Sequence, residues 1–105
     1  MERMAFRMRI HPGTEEEYLR RHQEIWPEML EALRRAGFLH YSIHRDGSTL
    51  LARFEAEHVH ETLARIVADP VNARWGAMMS DILIAETDVE TGFVPALPEM
   101  FYFDG

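Results

Sequence analysis

The sequence predicts an α+β fold with the element order β-α-β-β-α-β, in which helices pack on one face of a single antiparallel sheet. Two patterns predict this fold. Apolar and polar residues alternate in several short segments, as is typical of strands with one buried face, and other segments repeat apolar residues three and four positions apart, as in amphipathic helices. Their order along the chain matches a split β-α-β, ferredoxin-like arrangement.

The first strand is predicted over residues 4–10, where every second residue is apolar. A helix is expected to open at Thr14, because Glu17 stands three residues later as in a capping box. Pro27 cannot donate a backbone hydrogen bond, so we expect a break at Trp26 with Pro27 as the first residue of a second helix. Gly37 is expected to end that helix.

The second half of the chain is predicted to hold two strands, two helices and a closing strand. Asp46-Gly47 predicts a two-residue hairpin turn between the strands. The predicted elements are strands over residues 38–44 and 49–56, a helix from Val59 that ends before Asp69, a helix over 71–83, an irregular segment over 85–98 and a short aromatic strand over 99–103.

Composition indicates one globular domain over residues 1–105. At about 100–200 residues per domain there is no room for a second core, and 47% hydrophobic with 28% charged residues argues against disorder. The formal charge of −7 offers no positive face for phosphates, so nucleic acid and anionic membranes are not expected partners. No apolar run suits a signal peptide or a membrane span, and a cytoplasmic location is expected.

The outer face of the predicted sheet is expected to need a partner. Five large apolar residues in the strands could make both faces of the sheet apolar: Met4, Phe6, Phe54, Phe101 and Phe103. An apolar face must be buried or used as a pocket, and the simplest partner is a second copy related by a twofold axis.

Tyr18, His22 and Trp26 form the most informative constellation, because a spacing of four places Tyr18 and His22 on one helical stripe. Imidazole exchanges protons near neutral pH, phenol can bind a hydroxyl, and indole can stack on the apolar face of a sugar. The competing interpretation is that these residues belong to an ordinary core with satisfied polar tips.

The other histidines do not suggest a metal site, because neither His58 and His60 nor His40 and His44 can converge on one ion. No cysteine is present to add a thiolate ligand. Gly76, which follows Trp75 in a predicted helix, costs about 1 kcal/mol relative to alanine. Either a site needs the space or the helix packs closely on the sheet.

Several segments together resemble the L-rhamnose mutarotase family over nearly the whole chain. They are Met4-Ala5-Phe6-x-Met8, Glu17-Tyr18-x-x-Arg21-His22-x-x-Ile25-Trp26-Pro27-Glu28, Tyr41-Ser42-Ile43, Arg74-Trp75, Met79-x-Asp81 and Glu99-x-Phe101. The resemblance implies a homodimer of the dimeric α+β barrel type that interconverts the α and β anomers of L-rhamnose without a cofactor.

By matching position, the resemblance implies that His22 is the proton donor and that Tyr18, Tyr41 and Trp75 contact the sugar. The family typically has a second tryptophan where this chain has Gly76, which widens the expected pocket. Three alternatives stay open: a mutarotase for a related sugar such as L-fucose, a small monooxygenase of the same fold, and a non-catalytic sugar-binding module. The fold cannot separate them, whereas turnover can.

Overall fold

The structure is a computed structural model that describes residues 1–84 and 86–105. One antiparallel sheet forms from β1 (Glu2–Ile10), β2 (Leu39–Asp46), β3 (Thr49–Ala56), β4 (Leu83–Ile84) and β5 (Ala96–Leu97). The strand order is β2-β3-β1-β4, and β5 also pairs with β1. This topology confirms the predicted α+β, ferredoxin-like fold.

Four helices connect these strands: α1 (Glu15–Gln23), α2 (Pro27–Ala36), α3 (Val59–Ala68) and α4 (Pro70–Met79). The predicted break lies at Trp26, whose backbone is extended at φ −62° and ψ 136°, and Pro27 opens α2. Gly37 ends α2 with φ at 101°, a left-handed conformation that glycine adopts without strain. Within the described residues, no helix has the length and apolar character to cross a membrane.

The start of α1 lacks the predicted capping box. The Thr14 hydroxyl donates to the carbonyl of His11 at 2.6 Å, and no side chain caps the helix. The Glu17 carboxylate instead accepts from the guanidinium groups of Arg20 and Arg21. Charge-assisted bonds to two arginines are stronger than a bond to a neutral backbone N–H, so the carboxylate turns toward them.

The last third of the chain differs from the prediction in two places. The predicted helix over residues 71–83 ends at Met79, and the residues that follow Ile82 form β4 against the end of β1. The predicted strand over 99–103 is absent from the described structure, where pairing stops at β5 (Ala96–Leu97). Pro98 follows immediately and has no N–H to donate, which ends the ladder. Residue 85, where the irregular segment was predicted to begin, lies outside the described residues.

The predicted hairpin between β2 and β3 is present, but its turn is shifted by one residue. Asp46 pairs with Thr49, so Gly47 and Ser48 form the loop. Gly47 has φ at 61°, as the positive-φ positions of tight hairpin turns require. A register shift between Leu39 and Ser42 marks an irregularity earlier in β2.

The helices cover one face of the sheet, and the core lies between them. The buried side chains of β1 and β3 point toward the helices, among them Met4, Phe6 and Phe54. Since strand side chains alternate, the opposite face carries the arginines of these strands: Arg3, Arg7, Arg9 and Arg53. The expectation that both faces are apolar is therefore wrong. Met4, Phe6 and Phe54 share the covered face, and Phe101 and Phe103 lie in the tail outside the strands.

Candidate active site

A cleft of about 720 Å³ opens between the inner face of the sheet and helices α1, α2 and α4. The four side chains to which the resemblance assigned roles line it: Tyr18, His22, Tyr41 and Trp75. They come from α1, β2 and α4, so the tertiary fold brings together groups far apart in the sequence. Their catalytic and binding roles stay predictions.

Tyr18 and His22 lie on successive turns of α1 with their rings stacked at 4.2 Å between centroids and 25° between planes. Nδ1 of His22 lies 3.1 Å from the carbonyl oxygen of Tyr18. A carbonyl oxygen can only accept, so Nδ1 carries the hydrogen and donates it. In the neutral ring this leaves the lone pair on Nε2 free to accept a proton.

Burial keeps His22, Tyr18 and Tyr41 uncharged near neutral pH. It lowers the pKa of His22 from its ordinary 6.5, and the hydrogen bond to the Tyr18 carbonyl opposes this only in part. Burial raises the pKa of Tyr18 to about 12. It also raises the pKa of Tyr41, with a smaller contribution from Tyr18. The cleft therefore holds a neutral imidazole and two protonated phenols.

Trp75 of α4 forms the wall next to the imidazole. Its ring is perpendicular to that of His22, with centroids 5.4 Å apart, and Trp26 stands against it edge-on at 5.1 Å. Trp26 is not among the described residues that line the cleft. Because the helix breaks at Trp26, this residue leaves the stripe of Tyr18 and His22 and supports Trp75 from behind.

Tyr41 reaches the cleft from β2 through an aromatic cluster. Its ring stacks on Phe38 at 5.2 Å and contacts Phe54 at 5.9 Å. Among the described residues, no hydrogen bond engages its hydroxyl or that of Tyr18, and no polar side-chain atom is both buried and unpaired. Both hydroxyls are therefore accessible to a molecule in the cleft, which argues against the interpretation of a fully satisfied core.

Arg21 ties α1 to the end of α4. Its guanidinium donates to both carboxylate oxygens of Asp81, at 2.8 and 3.0 Å, and to the carbonyl of Met78 at 3.0 Å. It also pairs with Glu17 at 2.7 Å. The hydrogen bonds from Arg21 lower the pKa of Asp81. Arg21 thus sets the spacing between the helices that carry His22 and Trp75, a role that the sequence pattern did not indicate.

Gly76 lines the cleft, and a Cβ built on it meets no atom of the other described residues within 4 Å, its own helix backbone aside. Close packing of the helix on the sheet therefore does not account for this glycine. Asn72 lines the same cleft one helical turn earlier, and sequence reasoning did not single it out. Its position could have indicated it, because Asn72 stands four residues before Gly76 and residues four apart share a helix face.

The remaining histidines do not converge on the cleft as metal ligands. Within residues 1–84 and 86–105 no three side chains are arranged to hold a metal ion. Nδ1 of His40 lies 2.6 Å from the Glu55 carboxylate, and His58 is the N-terminal flanking residue of α3. His44 lies at the edge of the cleft, which its strand position did not predict.

Comparisons with known sequences agree with the resemblance. The family model for L-rhamnose mutarotase matches residues 3–103. A protein of Burkholderia ambifaria named L-rhamnose mutarotase is 44% identical over 104 residues, which are 97% of this chain and 98% of that protein. A protein of Sinorhizobium fredii with the same name is 44% identical over 96 residues, 90% of this chain and 92% of the relative.

Two solved structures share the fold. L-rhamnose mutarotase from Formosa agariphila superposes with a TM-score of 0.80 at 28% identity, over 99% of this chain and 100% of that one. Tetracenomycin F2 cyclase from Streptomyces glaucescens superposes at 0.72 with 13% identity, over 100% of this chain and 99% of the other, a likeness in fold alone. With a family match over residues 3–103, this chain belongs to the L-rhamnose mutarotase family.

Proposed function

We propose that this protein is an isomerase that interconverts the α and β anomers of L-rhamnose. Family membership supports the reaction, and the cleft supports its chemistry. The observation that carries the mechanism is the imidazole of His22, a residue that lines the cleft. Its Nδ1–H is held by the Tyr18 carbonyl, and Nε2 has no hydrogen-bond partner among the described residues. A cytoplasmic location stays a prediction of the sequence.

Anomer exchange opens the pyranose ring to an aldehyde and closes it on the other face of C1. During opening the anomeric hydroxyl loses a proton, the C1–O5 bond breaks, and the ring oxygen gains a proton. Closure reverses these transfers after rotation about C1–C2. Positioned acid–base groups accelerate such steps by about 10²–10⁴-fold, which suffices for a reaction that already proceeds in water.

His22 can serve both transfers in turn. Because its pKa is lowered, the resting ring is neutral, and Nε2 accepts the proton of the anomeric hydroxyl. The imidazolium then gives that proton to the ring oxygen, which is the donor role that the resemblance implied. One proton is taken and one is returned, so no other proton carrier is required.

Tyr18 does not suit the role of proton acceptor for the anomeric hydroxyl. With its pKa raised to about 12, the phenol stays protonated and acts as a hydrogen-bond donor. Tyr18 and Tyr41 would bind the sugar hydroxyls, and the face or edge of Trp75 would contact the ring carbons.

Exchange NMR on the anomeric protons of L-rhamnose tests this function, with L-fucose, D-galactose and D-glucose as a panel for specificity. We expect the protein to accelerate exchange of L-rhamnose and His22→Ala to abolish the acceleration while keeping the fold. His60→Ala, an exposed histidine of α3, is the matched control and should keep full activity. Undiminished exchange by His22→Ala would remove His22 from the mechanism, and no acceleration by the parent protein would remove the function.

A homodimer is the second part of the proposal. Phe101 and Phe103 project from the described tail with 83% and 76% of their surface exposed, and Leu51 on the outer face of the sheet is also exposed. Large apolar side chains this exposed favour association with a second copy. Sedimentation of the protein and of Phe101→Asp tests it, since a dimer held by this tail should dissociate in the variant.

A further inference from the structure

The cleft-facing stripe of α4 has one missing side chain. The residues of this helix that line the cleft recur at positions i, i+3, i+4 and i+7: Asn72, Trp75, Gly76 and Met79. Glycine is disfavoured inside a helix, and at Gly76 neither a positive φ nor a close neighbour requires it. The effect of the glycine is to leave open space directly beside Trp75.

Asn72 places a carboxamide next to that space, one turn earlier on the same stripe. The residue is half-buried. Within the described part of the chain its amide has no hydrogen-bond partner and is not fully buried, so it is accessible. An amide offers both a donor and an acceptor. Apolar residues that line the same cleft, such as Met29 and Ile66, cannot use either.

We propose that Asn72 and the space at Gly76 form a subsite for a hydroxymethyl group, so that the protein also isomerises aldohexoses that carry a hydroxyl on C6. The inference rests on the proposed function, because it extends the substrate class of the same cleft. The stereochemically matched substrate is L-mannose, which is L-rhamnose with a hydroxyl added to its methyl carbon.

The chemistry of the sugar connects the two observations. In a hexopyranose the ring hydroxyls sit directly on the ring, whereas the hydroxyl on C6 lies one carbon further out and needs additional space. When C6 is a methyl group, as in L-rhamnose, it fills space but forms no hydrogen bond. A hydroxymethyl group both donates and accepts, and burying it without partners is costly. Space alone would favour any larger substituent, while space beside a free carboxamide favours a hydroxylated one.

Exchange NMR on L-mannose and L-rhamnose with the same protein preparation tests the subsite, and the measured quantity is the ratio of the two kcat/KM values. We expect the parent protein to accelerate anomer exchange of both sugars. Gly76→Trp, which fills the space, should lower the L-mannose to L-rhamnose ratio about tenfold or more, the order expected from the loss of one buried hydrogen bond and its fit. Gly76→Met, with a flexible side chain, serves if the indole disturbs folding.

Asn72→Leu keeps the volume and removes the amide, and should lower the same ratio by about tenfold. Ala77→Trp is the control for added bulk, because Ala77 is exposed on the same helix and is not among the described lining residues. It should leave both rates unchanged.

The outcomes separate this inference from the proposed function. If the parent protein accelerates anomer exchange of L-rhamnose but not of L-mannose, the subsite is overturned and the proposed mutarotase function stands. An equal loss on both sugars in Asn72→Leu would show that the amide binds a ring hydroxyl, which also overturns it. If neither sugar exchanges faster with the parent protein, the proposed function fails and the subsite fails with it.

Discussion

Tyr18 holds the imidazole of His22 in two ways. The two rings stack at 4.2 Å between centroids, and Nδ1 of His22 donates to the Tyr18 carbonyl at 3.1 Å. The stack sets the orientation of the ring, and the hydrogen bond sets its tautomer. A helix spacing of four residues thus prepares Nε2 for proton exchange before any substrate enters.

The first prediction concerns pH. Since burial lowers the pKa of His22 from 6.5, its neutral form persists below pH 6.5, and activity should be lost only as pH falls through this lowered pKa. The acidic limb of kcat/KM should therefore inflect below pH 6.5. Exchange NMR across a pH series, with the uncatalysed rate subtracted at each pH, measures it. An inflection above 6.5 would contradict a desolvated His22.

The lowered pKa of His22 also predicts how the free energy of unfolding changes with pH. Because the folded pKa is the lower one, the unfolded chain binds the His22 proton first, and the free energy of unfolding should decline as pH falls below 6.5 toward the folded pKa. Urea unfolding of the parent protein and of His22→Ala isolates this contribution. The decline should be smaller in the variant, since other groups titrate in both.

The second prediction separates the ring of Tyr18 from its hydroxyl. Tyr18→Phe keeps the stack on His22 and removes a hydrogen-bond donor, so kcat/KM for L-rhamnose should fall by about tenfold while the acidic limb stays in place. Tyr102→Phe, in the exposed tail, is the control and should have no effect on the rate. A loss as complete as that of His22→Ala would indicate that the phenol carries the proton.

The third prediction uses the two tryptophans, which contact each other but differ in access to the cleft. Trp75→Leu should raise KM for L-rhamnose by about threefold to tenfold, the value of one lost aromatic contact. Trp26→Leu loses the same edge-on contact at 5.1 Å and should lower stability with a smaller change in KM. Steady-state exchange rates and thermal unfolding of both variants measure the difference. Equal KM values for the two variants would show that the sugar does not contact Trp75.

The fourth prediction concerns the link between α1 and α4. Arg21→Met removes the bonds to Asp81 and to the Met78 carbonyl, so Trp75 should lose its position relative to His22 and kcat should fall by roughly tenfold. Arg20→Met is matched to it, because the ion pairs of Arg20 among the described residues are local, with Glu17 of α1 and with Glu24 directly after that helix. The control should keep its kcat. Ring-current shifts of His22 would report the displacement, and an equal loss in both variants would contradict a positioning role.

Much of the fold is readable from local chemistry. Pro27 cannot donate to the preceding turn and Gly37 accepts a positive φ, so the break at Trp26 and the end of α2 lie where the sequence predicts them. The stack of Tyr18 on His22 also follows from spacing within one helix. Such features depend on residues a few positions apart, whose geometry the backbone conformation determines.

The sequence pattern was insufficient where several partners compete for one side chain, or where the partners lie far apart in the sequence. The Glu17 carboxylate pairs with arginines one turn away instead of closing a capping box. The aromatic tail at Phe101 does not extend the sheet. The arrival of Tyr41 at the cleft and the link from Arg21 to Asp81 also required the folded chain. Periodicity along a chain specifies which face a side chain occupies, whereas distances between elements are set by packing across the whole core.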